Sequence, residues 1–469
     1  MWRLVLFGLA AAACTEANPR SCTDLLCTDQ RYPFCDVDGA LDGHPLTCIA
    51  VACTPGEFIG CRAEQAITCS PGANDYDLVQ CELGCAPEAG GCKSCTSDQH
   101  CSNPQPICEE DTSSCRRCNA DDECSSRVCI VETGECASES SVIYATASGT
   151  GQCSVTQPCS LATAIMLATQ TFPAPTIRML PGVFTTPISL ATPSVLNVVA
   201  TGASLAPNPP AISISGGAEV TIRGLTIVNE KVATCGGASG AISSLLLKDA
   251  SITALGIGNT TLIDVSRCRL EVSASELSLA ASSVAFSLAD DAVLGLDRVH
   301  LHGNGSHYIF AAGSRFTIEI TNSLFFDVRF SLQPADTGPP GSRLNVGSST
   351  LIYPGAGADH GCEVVAPSYL ARYENSILAP LTAFDAVRGP NCTFSNTLLS
   401  FQAIPPPGTV VADPQFVDAA ARDFHLKATS PAVDMAVPSI FGLGSTTDLD
   451  GTPRPQGAKP DIGAYEYKP

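Results

Sequence analysis

The sequence predicts an all-β chain, a parallel β-solenoid with a small disulfide-rich region ahead of it. Two observations predict this. Nineteen of the 25 cysteines fall within the first 136 of 469 residues. From residue 220 onward one pattern recurs: an apolar residue, two polar or small corner residues, then two inward positions around one outward position. Period-two alternation marks strands. A strand repeat of about 20 to 25 residues without amphipathic helices marks a solenoid of stacked coils.

The chain begins with a short leader, residues 1–13, with one basic residue, an apolar core and a run of small residues ending at Ala13. This is the pattern of a secretory signal peptide, and it is shorter than the roughly 20 apolar residues a membrane span needs. Removing Cys14 from the count leaves 24 cysteines, an even number that can all pair. Cys14 directly after Ala11-Ala12-Ala13 resembles the lipobox of bacterial lipoproteins, although Ala11 stands where that family usually has Leu. The resemblance implies acylation at Cys14, a tether over 14–21 and, with Thr15 in second place, the outer membrane. Whether the protein faces the cell surface or the periplasm stays open.

Four cysteine blocks follow. Cys95, Cys101, Cys108 and Cys115, then Cys118, Cys124, Cys129 and Cys136, are two tandem copies of one unit over 93–136. Cys22, Cys27, Cys35 and Cys48 form a looser copy, and Cys53, Cys61, Cys69, Cys81, Cys85 and Cys92 form a six-cysteine block, together a module over 22–92. Units this short cannot bury an adequate apolar core, so disulfides replace it, which places them in an oxidising compartment. Spacing does not give the connectivity. No pair of CxxC motifs has ribbon spacing, so zinc is not expected. Asp36, Asp38 and Asp42 with Gly39 and Gly43 lack the closing Glu of a calcium loop and read as a solvated acidic loop. No cofactor is expected, calcium being the one ion the sequence leaves open. The blocks resemble cysteine-rich units found ahead of large domains in bacterial surface proteins, which implies a stalk or a protein-binding module.

Residues 16–139 hold 22 acidic and 7 basic residues, a net charge of −15, and 142–469 carry −7. Such a field excludes nucleic acid as a partner and disfavours direct adsorption to anionic lipid. Contact with a membrane is therefore expected through the anchor alone. Oligomeric state leaves no signal in the sequence.

After a linker at 137–141, the repeat pattern starts at Ile222 and returns from Leu247, Val265, Leu279, Leu296, Ile320, Val346, Tyr373 and Phe394, nine copies with a mean period of about 21.5. The last inward position reads Ile227, Ile252, Leu270, Val284, Leu301, Phe325, Leu351, Leu378 and Leu399. The first inward position ends Ser323, Ser349, Ser376 and Thr397, a hydroxyl ladder, and the second corner position includes Asn322, Asn375 and Asn396. Asn tolerates left-handed backbone angles and can bond to its copy in the next coil.

The opening at Ser148–Ala164 and Thr176–Phe184 resembles the first helix and coil of the right-handed parallel β-helix superfamily, implied over 142–410. The end is more specific. Asp413-Pro414-Gln415-Phe416-Val417, Asp423-Phe424-His425-Leu426, Ser430-Pro431-Ala432-Val433-Asp434, Asp448-Leu449-Asp450-Gly451, Arg454 and Asp461-Ile462-Gly463-Ala464-Tyr465-Glu466 are similar to the choice-of-anchor Q module. That family is common among secreted bacterial proteins and has no single activity. The tail, 411–469, is expected to cap the solenoid and to cover outward positions that turn apolar late, Leu324, Phe326, Ile352, Ile377 and Leu398. Asp448, Asp450, Arg454 and Asp461 then read as a buried polar latch. Cys235/Cys268 and Cys362/Cys392 are candidate staples, and Cys153/Cys159 a loop closure.

β-Helix enzymes usually cut polysaccharides on one outward face. Among outward positions, Arg269 and Glu271 on one coil, with His300 and His302 two coils later across Ser283 and Ala285, are the sole set with convergent chemistry. At about 4.8 Å per coil they would flank a groove about 10 Å wide, with histidine as a base near neutral pH. The mature chain has no Trp for sugar stacking, Trp2 being the only one. The leading expectation is a non-catalytic surface lipoprotein whose β-helix binds glycan or another envelope component. The alternatives are a polysaccharide lyase or glycoside hydrolase using that face, and a structural or adhesive spacer.

Overall fold

The computed structural model describes residues 20–468, except 23–25, 38, 40, 42–43, 172, 238–240, 256–259, 281–283, 314, 336–340, 354–359, 365–368, 383–384, 440–441 and 443–445; side chains at 304–306 are also not described. The leader, Cys14, Asp38, Asp42, Gly43 and Ser283 lie outside the described residues. The chain divides into two compact units, Met1–Ala137 and Ser138–Pro469. Among the described residues, no helix is long and apolar enough to cross a membrane.

In the first unit every described cysteine is bridged. The first block pairs Cys22–Cys35 and Cys27–Cys48, and the tandem copies repeat that order as Cys95–Cys108 with Cys101–Cys115 and Cys118–Cys129 with Cys124–Cys136. The six-cysteine block closes as Cys53–Cys69, Cys61–Cys85 and Cys81–Cys92. No described bridge leaves its block. Much of the acidity has a local task. Asp98 and Asp121, each three residues after the first cysteine of its repeat, accept the backbone N–H of Cys108 (2.7 Å) and Cys129 (3.0 Å). Asp36 is buried and accepts the Leu41 N–H, so it is not the solvated acid expected from its loop.

The second unit is a parallel β-helix with three faces, built because each strand is apolar at alternate positions and pairs in register with its copy one coil later. Phe184, Leu205, Ile227, Ile252, Leu277, Leu301, Phe325, Leu351, Leu378 and Leu399 form one continuous buried row on the second face. Each such side chain contributes about 1.5–3 kcal/mol through burial. At the N-terminal end the helix Leu161–Gln170 packs Leu161, Ala164 and Ala168 into this core, its N-cap Ser160 accepting the Thr163 N–H.

The period differs from the sequence expectation. Ile222, Leu247, Val272, Leu296, Ile320, Val346, Tyr373 and Phe394 are stacked partners, eight copies with a mean step of about 24.6. Val265 and Leu279 are not members, and Leu277 takes the place given to Leu270 and Val284 in the inward row. Val265 lies on the third face, before a corner made by Arg267 at φ 52°. That third-to-first corner has the same apolar–corner–apolar signature as the first-to-second corner, so periodicity alone confused them.

At the first-to-second corner, Gly224, Asp249, Ala274, Arg298, Asn322, Ser348, Asn375 and Asn396 all have positive φ. The turn takes the following N–H out of the regular ladder, and a buried N–H needs a partner. Serine hydroxyls of the next coil supply it: Ser275 to Ala250 N (3.0 Å), Ser323 to Val299 N (3.1 Å), Ser349 to Ser323 N (3.1 Å) and Ser376 to Ser349 N (3.3 Å).

Residues from 412 onward form a module clasped to the outer surface of the second face. Leu324, Phe326, Ile352, Ile377, Ala379 and Leu398 pack outward against Phe416, Phe424, Leu426, Ile462, Ala464 and Tyr465. The module thus covers a flank of the coils, while Val410 and Val411 on the last strand stay exposed.

Candidate functional site

On the first face, stacking places outward residues in columns. One column reads Leu246, Glu271, Gly295, Glu319 and Asn345, and its neighbour Lys248, Ser273, Asp297 and Thr321. All of them but Asn345 line an open groove of about 480 Å³. Gly295 is its floor; a Cβ there would meet Glu271 Cγ at 3.4 Å. Arg269 Nε pairs with Glu271 Oε1 at 2.5 Å. Asp297 Oδ1 is fixed by the Thr321 hydroxyl (2.7 Å) and the Asn322 amide (2.9 Å). Glu319 was absent from the sequence-based set, to which Asp297 was only a neighbour in sequence. Their signal, Glu319 one coil beyond Gly295 and Asp297 two residues along the Gly295 strand, becomes readable only with the correct period.

The four expected residues do not share a groove. Arg269 and Glu271 are on the first face, registered with Val293 and Gly295; His300 and His302 are on the second, registered with Glu276 and Ser278. The corners at Ala274 and Arg298 separate the two pairs, which lie one coil apart rather than two. Ala285 is buried in the core and does not line the space between them. Asp290 and Asp291 form a left-handed corner, Asp291 pairing with Arg315 at 2.6 Å.

His300 and His302 have a different neighbour. His302 Nε2 lies 3.0 Å from Glu276 Oε1, and the two imidazole centroids are 4.7 Å apart. Burial, reinforced by the neighbouring His302, pulls the His300 pKa down to about 4, so its ring is neutral at neutral pH. The next coil places Leu324 and Phe326 in line with the two histidines, and the Arg422 guanidinium of the C-terminal module lies 4.4 Å over the Phe326 ring.

Within the module, Asp448, Arg454 and Asp461 are buried together with Glu466. Arg454 Nη1 binds Glu466 Oε1 at 2.7 Å; Asp448 accepts the N–H of Thr452 and Glu466, and Asp461 those of Asp434 and Tyr467. Asp450 is exposed and stands outside this network: the turn ending at Gly451 directs it to His425 Nε2 at 2.9 Å. The corner asparagines hold the module to the helix. Asn375 exchanges two hydrogen bonds with Val437, and Asn396 donates to Met435 O at 2.6 Å. Cys153–Cys159, Cys235–Cys268 and Cys362–Cys392 are bridged.

No protein-family model matches the chain, and no curated protein matches it. Among solved structures it is similar to the pectate lyase Pel9A, with 15% identity and a TM-score of 0.42 over 70% of this chain and 96% of that one. A likeness at that level carries no argument about activity.

Proposed function

We propose that the chain is an exported, lipid-anchored surface protein whose β-helix binds an extended glycan, without catalysis, along the groove over Gly295. The groove carries this reading: four coils align carboxylates, hydroxyls and the Lys248 ammonium around the Gly295 floor, a row of directional polar groups suited to sugar hydroxyls. Its acidic balance favours neutral or amino sugars over acidic polymers. The disulfides support an oxidising compartment. Acylation at Cys14, outer-membrane placement and a choice-of-anchor Q identity for the C-terminal module belong to the same proposal, on the sequence resemblances alone. The separation of Arg269 and Glu271 from His300 and His302 favours binding over turnover.

One observation favours a glycoside hydrolase as the second reading. Glu271 and Glu319 stand two coils apart across Gly295, about 9.6 Å at the strand spacing. That is close to the roughly 6.5–9.5 Å range of inverting carboxylate pairs. The test is incubation of the protein with a panel of neutral, amino-sugar and acidic polysaccharides, reading retention and reducing ends. Retention without new reducing ends, lost in Gly295→Leu, supports the binding reading. New reducing ends abolished by Glu271→Gln overturn it in favour of the hydrolase, and no retention on any polymer leaves the chain as a spacer.

A further inference from the structure

Glu276, His300 and His302 place one carboxylate oxygen and one nitrogen from each ring within 4.8 Å of one another. We infer that this trio is a binding site for a divalent transition cation of the zinc class. It lies on the second face and is independent of the glycan groove.

The donor set decides the class of ion. Two imidazoles and a carboxylate suit zinc and its first-row neighbours, whereas calcium and magnesium select shells of oxygen. Around a tetrahedral ion with bonds of about 2.0–2.2 Å, ligand atoms stand about 3.4 Å apart. Glu276 Oε1 and His302 Nε2 are at 3.0 Å, and the His300 nitrogen lies within 4.8 Å of both.

The scaffold gives the trio its fixed relation. Residues two apart on a strand point to the same side, so His300 and His302 project together. Glu276 is the direct register partner of His300 one coil earlier. All three side chains therefore rise from adjacent strands whose backbones are held in a parallel ladder. Ser278, the partner of His302, is small, while Leu324 and Phe326 close the other side as buried residues beneath the C-terminal module. Three protein ligands with solvent on one side leave a coordination position open. The described cysteine groups near one another are consumed in disulfides and do not compete.

The test uses the full mature chain without a histidine tag, stripped with chelator and titrated calorimetrically with ZnCl2, then with CoCl2 followed by visible absorption. One equivalent of Zn2+ should bind, with tetrahedral cobalt bands. The His300→Ala/His302→Ala variant should lose binding, and Glu276→Gln should weaken it by about tenfold or more. His425→Gln, which alters the other histidine flanked by carboxylates, should bind as the parent does, and the Glu276 and His300/His302 variants should keep the parent thermal transition. Absence of binding in the parent chain, a preference for CaCl2, or unchanged affinity in the double variant overturns the assignment.

Discussion

Ser349 Oγ accepts the backbone N–H of Ser323 from the preceding coil at 3.1 Å and donates to Gly347 O in its own coil at 2.8 Å. The hydroxyl therefore completes a corner that no strand ladder reaches. Ser349→Ala keeps the volume but orphans a buried N–H, and should destabilise the second unit by about 1–3 kcal/mol. Calorimetry checks this, with Thr317→Ala, at a half-buried outward position of the first face, as the comparison.

Arg454 and Glu466 form a buried ion pair at 2.7 Å. Arg454→Met leaves the Glu466 carboxylate buried and uncompensated, a loss of about 3–5 kcal/mol. Adding Glu466→Leu should recover part of that loss. Limited proteolysis checks it: cleavage within 412–468 should accelerate in the single variant and slow again in the double.

His425 faces Asp423 at 2.6 Å and Asp450 at 2.9 Å through its two ring nitrogens. Burial lowers its pKa, but the hydrogen bonds to Asp450 and Asp423 outweigh burial and hold it above the ordinary value of 6.5. A histidine with a raised folded pKa adds stability that is fully present below the unfolded value and is lost as pH rises through the folded one. The module should therefore melt lower as pH is raised from about 6 to 8. His425→Gln should flatten that slope in thermal scans, by a modest amount because the ring is partly exposed.

The first-block order of bridges recurs in both tandem repeats. Mass spectrometry of unreduced peptides should recover these pairs. Replacing Cys124 and Cys136 by Ser should cost that repeat about 2–5 kcal/mol, seen as faster hydrogen exchange within 118–136, with the exchange of 22–92 unchanged.

Much of this was readable before the structure. The apolar row from Ile227 to Leu399, apart from Leu270 and Val284, and the serine ladder are one-dimensional patterns, because a stacked core repeats its own chemistry. The outward apolar run from Leu324 to Leu398 announced a covering element for the same reason. The grouping of Arg269 and Glu271 with His300 and His302 failed at the corners. Alternation continues through a bend, so inward and outward stay legible while the identity of the face does not. Ala274 adopts the left-handed conformation without a residue type that advertises it. Glu276, the partner of His300, was passed over because register across coils depends on the length of every intervening loop.

The closure of each cysteine block on itself has a consequence for how such a chain can change. A four-cysteine unit carries its complete set of partners, so a duplicated or deleted unit disturbs no pairing elsewhere. The number of units ahead of the β-helix is therefore free to vary by whole-unit recombination.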